Sequence, residues 1–148
     1  MVPTWKIRGQ DHLVTTLAKS IQQERLSHAY LFVGPPQVGK MTLAVDLARA
    51  VNCTDGEAKP CGTCQQCQRI DGGNHADVQV VQMEAEGQSG RLRAEITIDQ
   101  VRTIEKASTL KPYEGSCRVF IIDGAERLNL YAANALLKTV EEPPEQVI

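Results

Sequence analysis

No run of apolar residues in this chain of 148 residues extends beyond Ala29–Val33, whereas a membrane-crossing helix needs about 20. The stretch from Met1 to Arg8 lacks the apolar segment of a secretory signal. A cytoplasmic protein without membrane attachment is therefore expected. Positive charge is not in surplus: 16 Lys and Arg stand against 18 Asp and Glu, a net charge of -2. This argues against tight nucleic-acid binding by bulk charge, so any contact with DNA is expected to be local or indirect. Internal repeats with periods of about 20–50 residues and low-complexity tracts are also missing. Hydrophobic content of 42% and balanced charge argue against disorder.

What is present is an alternation of helical and strand patterns in a chain the size of one domain. Asp11–Gln23 carries Leu13, Val14, Leu17, Ala18 and Ile21 on one helical face. Ala29–Val33 reads as a buried strand, and Gly39 to about Asn52 as a helix with Leu43, Leu47 and Val51 in step. Val78–Val81 is a second strand. Residues 84–96 read as a loop or a poorly ordered hairpin. Thr97 and Gln100 match a capping box, opening a helix with Ile98, Val101 and Ile104 on one face. Arg118–Asp123 is a third strand. Asn129 caps a last helix, whose Leu130, Ala133, Leu137 and Val140 are expected to face the sheet, and Pro143 and Pro144 stop it. Alternation of this kind predicts an α/β fold with a parallel sheet flanked by helices, and ligands at the C-terminal ends of the strands. The closing Val147-Ile148 looks like the start of a further strand, as in a fragment of a longer domain.

Gly34-Pro35-Pro36-Gln37-Val38-Gly39-Lys40 follows the first strand and opens a helix, matching the P-loop pattern G-x-x-x-x-G-K. Glycine lets the backbone approach phosphate oxygens, the N–H groups converge on an anion, and the helix N-terminus adds its dipole. Lys40 would reach the outer phosphates. The pattern then asks for a Ser or Thr hydroxyl to bind Mg²⁺, but Met41 stands there and Thr42 comes one place later. A thioether is a poor ligand for so hard a cation. The bland alternative is a glycine-rich turn that binds no nucleotide.

P-loop ATPases also place an Asp-Glu pair at the end of a buried strand, the Asp supporting Mg²⁺ and the Glu polarising water. Here Asp123 ends the third strand, but Gly124 follows it and Glu126 lies further on. Two groups that hydrolysis needs are thus missing together. Asp123 has its own bland alternative, that of a carboxylate capping the next turn.

Cys53, Cys61, Cys64 and Cys67 have the spacing C-x7-C-x2-C-x2-C. Four thiolates form a closed tetrahedral Zn²⁺ site, with no open position for a substrate water, so the metal would supply folding energy. A redox C-x-x-C is the alternative. With four cysteines closing the shell, His75 is read as a loop or capping residue and His28 as structural. Cys117 stands apart and reads as an ordinary half-buried thiol.

A cysteine module inserted after a P-loop helix, together with Asn134-Ala135-Leu136-Leu137-Lys138-Thr139-Val140-Glu141-Glu142-Pro143-Pro144, resembles the bacterial DNA polymerase III clamp-loader subunits, which are AAA+ proteins. Ile7-Arg8-Gly9-Gln10, Arg25–Phe32 and Asn74–Val78 share the likeness, which runs the length of the chain. The resemblance implies one AAA+ nucleotide-binding-type domain over 1–148, with a zinc module at 53–67. Its nucleotide site, for ATP or ADP if any is bound, would comprise Gly34, Gly39, Lys40, Thr42 and Asp123, and its zinc site the four cysteines. The implied partners are gamma/tau and delta subunits, with primed DNA and the sliding clamp reached through the assembly. Met41 and Gly124 favour the non-motor delta-prime type over the gamma/tau motor ATPase. No catalytic residue is therefore expected, and the chain would not be an ATPase by itself. The arginine finger that the resemblance implies would lie beyond Ile148. An active gamma/tau-type ATPase, and a zinc-stapled interaction module unconnected with replication, are the alternatives.

Overall fold

A computed structural model of the chain describes residues 3–56, 58–86, 91, 92 and 94–148. Helix α1 (Asp11–Gln22) buries Leu17 and half-buries Val14, Ala18 and Ile21, leaving Leu13 at the edge of the face. Helix α2 (Lys40–Asn52) starts directly at the end of the glycine loop, and Leu43, Leu47, Ala48 and Val51 form the centre of the core. Helix α3 (Gln65–Asp71) was not anticipated. It is capped by the Cys64 sulfur, which accepts the Cys67 N–H.

Strands β1 (Val78–Val81) and β4 (Val119–Ile122) pair in parallel, with Val78 opposite Val119 and Val81 opposite Ile122. Between them lie β2 (Ala85–Glu86) and β3 (Arg91–Leu92), an antiparallel pair, and helix α4 (Ile98–Ser108). The described part of 84–96 is therefore the hairpin of the two sequence readings, while 87–90 and 93 lie outside the described residues. The capping box of α4 forms, with Gln100 Oε1 accepting the Thr97 N–H at 3.0 Å. Asn129 caps α5 (Leu130–Glu141) by accepting the Ala132 N–H at 2.9 Å. Val119 and Ile121 point into the same core as α1 and α2, joined by Ile7 and Ile70.

Two expectations are corrected. Residues 29–33 form no strand: Tyr30 and Phe32 pack against the core, but Leu31 and Val33 are 78% and 84% exposed. The apolar alternation is there but the pairing is not: among the described residues no strand or bridge joins 29–33. One edge of β4 is taken by β1, and the other by the parallel residues 146–148, where the Arg118 N–H donates to Gln146 O and the Phe120 N–H to Ile148 O. The second correction concerns α5. Leu130, Leu137 and Val140 are exposed, and the helix lies along α4 through a face with Ala132 at its centre, flanked by the half-buried Ala135, Leu136 and Thr139. Among the described residues, no helix is long and apolar enough to cross a membrane.

Candidate metal centre and phosphate loop

The cysteine module has almost no apolar side chains with which to build a core. Its buried cluster consists of Cys53, Cys61 and Cys67, with Cys64 packed against them. All four sulfurs lie within 4.8 Å of one another. A tetrahedral site with metal–sulfur bonds of about 2.3 Å has sulfur–sulfur edges of about 3.8 Å, and Cys53 Sγ and Cys64 Sγ are 3.9 Å apart.

Backbone amides are already turned toward these sulfurs. Cys61 N–H donates to Cys53 Sγ at 3.4 Å, Thr63 N–H and Cys64 N–H donate to Cys61 Sγ at 3.4 and 3.2 Å, and Cys67 N–H donates to Cys64 Sγ at 3.5 Å. Such donors favour the ionised form of a thiol. Burial opposes ionisation of Cys64, but hydrogen bonds from Cys67 and Thr54 outweigh it and bring the thiol down to about 6. Cys61 is likewise lowered against its burial by the amides of Cys64 and Thr63. Burial dominates at the other two, raising Cys53 and pushing Cys67 up to about 12. A divalent cation favours all four thiolates, so the donor set fits a soft-ligand metal such as Zn²⁺. Cys117 lies outside the cluster, and burial raises its thiol.

His75 is not turned to the metal site. Its Nδ1 accepts the Asp77 N–H at 3.1 Å, which leaves Nε2 to donate to Gln66 Oε1 on α3. Burial lowers its pKa despite nearby Glu114 and Asp77. His28 bonds through Nε2 to Val140 O at 2.9 Å.

The glycine loop has the backbone its sequence demands. Gly39 is left-handed at φ 94, and Gln37 adopts φ 61 without being a glycine. Strain of that kind at a non-glycine residue concentrates at ligand clamps and switch regions. A Cβ on Gly39 would collide with Cδ1 of Ile7. Lys40 Nζ donates to Gly34 O and Pro35 O at 2.8 Å each, spanning the loop it follows. Gly34, Gly39 and Lys40 are thus brought together. Met41 packs against the core and Thr42 is exposed. Asp123 is exposed at the end of β4, its N–H donating to Val81 O at 2.8 Å. Among the described residues, no hydrogen bond or ion pair joins Asp123 to Lys40. Gly124 follows in the left-handed region at φ 81 and begins a 3₁₀ turn, Ala125–Arg127, with Glu126 Oε1 4.0 Å from where a Gly124 Cβ would stand.

Sequence reasoning missed a set of buried polar residues that position these parts. Asp46 and Arg49, both on α2 and essentially unexposed, form an ion pair at 2.7 Å. Asp46 Oδ2 accepts the N–H groups of Lys6 and Ile7 at 2.7 and 2.9 Å. Asp77 accepts those of Tyr113, Glu114 and Gly115 at 2.7, 2.7 and 2.8 Å, which holds its carboxyl below the usual range despite burial. Asn52 Oδ1 accepts those of Ser116 and Cys117 at 2.8 and 2.9 Å. The available signal was the Asp-x-x-Arg spacing on an otherwise apolar helix.

Comparison with known proteins agrees with the resemblance carried by the motifs. The family model described as DNA polymerase III, delta subunit, matches residues 9–148. DNA polymerase III subunit tau/gamma of Haemophilus influenzae is 39% identical over 140 residues, covering 94% of this chain and 19% of that protein. Subunit delta' of Bacillus subtilis is 35% identical over 145 residues, covering 97% of this chain and 42% of its own length. A solved structure, a gamma subunit-related protein from Thermotoga maritima, is 35% identical and aligns to 46% of this chain and 21% of its own, with a TM-score of 0.38. The chain thus spans about a fifth of the tau/gamma relative and about two fifths of the delta' relative. With the family match covering nearly every residue, the chain belongs to the DNA polymerase III delta subunit family.

Proposed function

We propose that the chain is the AAA+ nucleotide-binding-type domain of a non-motor, delta-prime-like clamp-loader subunit, supporting ATP-driven loading of the sliding clamp onto primed DNA. In this reading gamma/tau and delta subunits are its partners, and Zn²⁺ held by Cys53, Cys61, Cys64 and Cys67 is structural. Gly34, Gly39 and Lys40 form a phosphate cradle that holds ATP or ADP without turning it over. Thr42 and Asp123 stand at the margin of that site. The carrying observation is the side chain after Lys40: Met41 is packed into the core, where a Mg²⁺ ligand would have to reach the loop. Gly124 in place of a carboxylate removes the group that would polarise water.

A motor reading of gamma/tau type has one observation in its favour, the 39% identity to tau/gamma against 35% to delta'. The two are separated by titrating the chain with a non-hydrolysable ATP analogue, with and without Mg²⁺, and by assaying ATPase in an assembly reconstituted with gamma/tau and delta subunits. The non-motor reading expects binding that is weak or indifferent to Mg²⁺, and Lys40→Ala leaving the ATPase rate of the assembly within twofold. Tight binding that depends on Mg²⁺, with the rate lost in Lys40→Ala, overturns it. Failure to assemble with gamma/tau at all supports an interaction module of another kind.

A further inference from the structure

The cysteine module and the phosphate loop lie at opposite ends of α2, yet one unbroken set of contacts joins them. The module reaches out through Pro60, whose carbonyl accepts both the N–H of Thr4 at 2.7 Å and its hydroxyl at 2.9 Å. Gly62 lies so close to Thr4 that a Cβ there would stand 2.6 Å from Oγ1. Arg49 then takes over. Its NH1 donates to Thr4 O at 3.2 Å and to Asp46 Oδ1 at 2.7 Å, and its NH2 donates to Thr4 Oγ1 at 3.2 Å. The carbonyl of Arg49 faces Cys67 Sγ at 3.9 Å. Asp71, at the end of α3, lies 3.3 Å from Arg49 Nε and 2.8 Å from Lys6 Nζ. Asp46 passes the constraint to the backbone of Lys6 and Ile7. Ile7 finally fills the space beside Gly39, the residue on which the loop turns into α2.

Each link is specific. Asp46 and Arg49 are buried, so neither can exchange its partners for water at low cost. Ile7 is fixed by its own N–H bond and that of Lys6 to one carboxylate oxygen, and its side chain by the glycine. Among the described residues the module has no apolar cluster of its own apart from its cysteines, so the metal bears on whether Pro60, Gly62 and Cys67 keep their places. Displacing them takes the Pro60 carbonyl from Thr4 and loosens Arg49, and Asp46 then no longer holds Ile7 in one position.

We infer that the metal at the four cysteines and the geometry of the phosphate loop are energetically coupled, with Thr4, Arg49, Asp46 and Ile7 as the positioning residues between them. This rests on the zinc and phosphate-cradle readings above and gives the zinc module a role besides stapling its own segment. Coupling of this kind is reciprocal: whatever metal does for phosphate binding, phosphate binding does for metal retention. Magnitudes for such coupling are typically about 5–150-fold.

The test is amide exchange by NMR on the whole chain, loaded with one equivalent of Zn²⁺ and then stripped with a high-affinity chelator. Three amides report. Those of Lys6 and Ile7 are bonded to Asp46, and that of Leu43 is bonded to Gly39 O at 2.9 Å. Stripping should speed their exchange by about tenfold or more and shift the Gly34, Gly39 and Lys40 amide signals, while Val119 and Phe120 in the sheet, bonded to Asp77 O and Ile148 O, keep their protection. Because stripping can unfold more than the module, Thr4→Val is measured with zinc bound. It removes one hydroxyl from the relay, and should speed Lys6 and Ile7 exchange and shift the Gly39 amide with full metal occupancy. Unchanged loop signals in both the stripped chain and Thr4→Val overturn the inference. A zinc content well below one per chain marks failure of the zinc reading instead. Absence of ADP binding marks failure of the cradle reading, and leaves the exchange experiment intact.

Discussion

Asp77 sits one residue before β1 and organises the approach to β4. Its own carbonyl accepts the Val119 N–H at 2.8 Å, and its carboxylate takes the N–H groups of Tyr113, Glu114 and Gly115. The side chain is fully buried, with Arg118 NH2 at 3.5 Å from Oδ1. Hydrogen bonds to a charged acceptor contribute about 1.5–3 kcal/mol each, and removing the acceptor leaves the donors unsatisfied. The three amides here are only partly buried, so the low end applies, and Asp77→Ala is expected to cost about 3–5 kcal/mol. At about 2–4 °C per kcal/mol for a chain of this size, the midpoint should fall by roughly 6–20 °C. Asp77→Asn keeps the shape but replaces one acceptor oxygen with a donor that faces N–H groups, so about 2–3 kcal/mol is expected.

The same contact fixes a pH dependence. The carboxyl is held below its ordinary value because the folded state favours the ionised form. Its stabilisation is therefore complete above the unfolded value of about 4, and is lost as pH falls from there through the lower folded value. Urea denaturation of the parent and Asp77→Asn at pH 7 and at successively lower pH should show the two curves converging below about pH 4. Comparing the pair cancels acid release of metal from the cysteines, which both proteins share. A pH-independent difference, or a cost at pH 7 below about 1 kcal/mol, refutes the argument that the charged carboxylate organises this loop.

Gly39→Ala should cost about 2–3 kcal/mol, from the left-handed backbone and from displacement of Ile7, and Ile7→Val, which removes the colliding methyl, should restore part of it. Additive urea-denaturation energies in that double-mutant cycle would place Ile7 elsewhere. Cys67→Ser should weaken zinc retention against a chromophoric chelator by at least about 100-fold, while Cys117→Ser leaves the metal content unchanged. Asn129→Ala should cost about 1 kcal/mol in thermal melts, through loss of the α5 cap.

Local patterns were the legible part of this fold. The boundaries of α1, α2, α4 and α5 follow from periodicity, from the Thr97–Gln100 box and Asn129 cap, and from Pro143. These signals act within a few residues and need no knowledge of distant neighbours. The clustering of the four cysteines was legible for a related reason, since three of them lie within one short segment. Residues 29–33 were not, because a strand is a pairing as well as a pattern. Their alternation of inward Tyr30 and Phe32 with outward Leu31 and Val33 has strand periodicity, but no described strand pairs with them. The inward face of α5 misled in the same way. Leu130 and Leu137 suggested a stripe, but the contact with α4 is centred on the small Ala132. Asp46, Asn52 and Asp77 were invisible as core residues because nothing in one sequence distinguishes a solvated carboxylate or amide from one that collects backbone N–H groups contributed from far along the chain.

The glycine loop carries two kinds of constraint, and they bear differently on function. Gly39 is required by packing as well as by phosphate: its φ excludes most side chains, and Ile7 occupies the space a Cβ would need. Its presence would be expected even if no nucleotide ever entered the loop. Lys40 is different. Its ammonium reaches back to Gly34 and Pro35 from an accessible position, so the core does not demand a lysine there. Gln37 in a left-handed conformation does not add to this, because Glu24 and Gln146 adopt the same backbone at φ 54 and 60. Lys40, rather than the glycine that first draws the eye, is therefore the residue that supports the proposed phosphate cradle. Met41, half-buried against the core, offers no oxygen where the P-loop pattern asks for a Mg²⁺ ligand, which speaks against hydrolysis in the proposed site. Binding without turnover, as proposed, is consistent with both, because in P-loop proteins the groups that hold a phosphate and the groups that activate water belong to different residues.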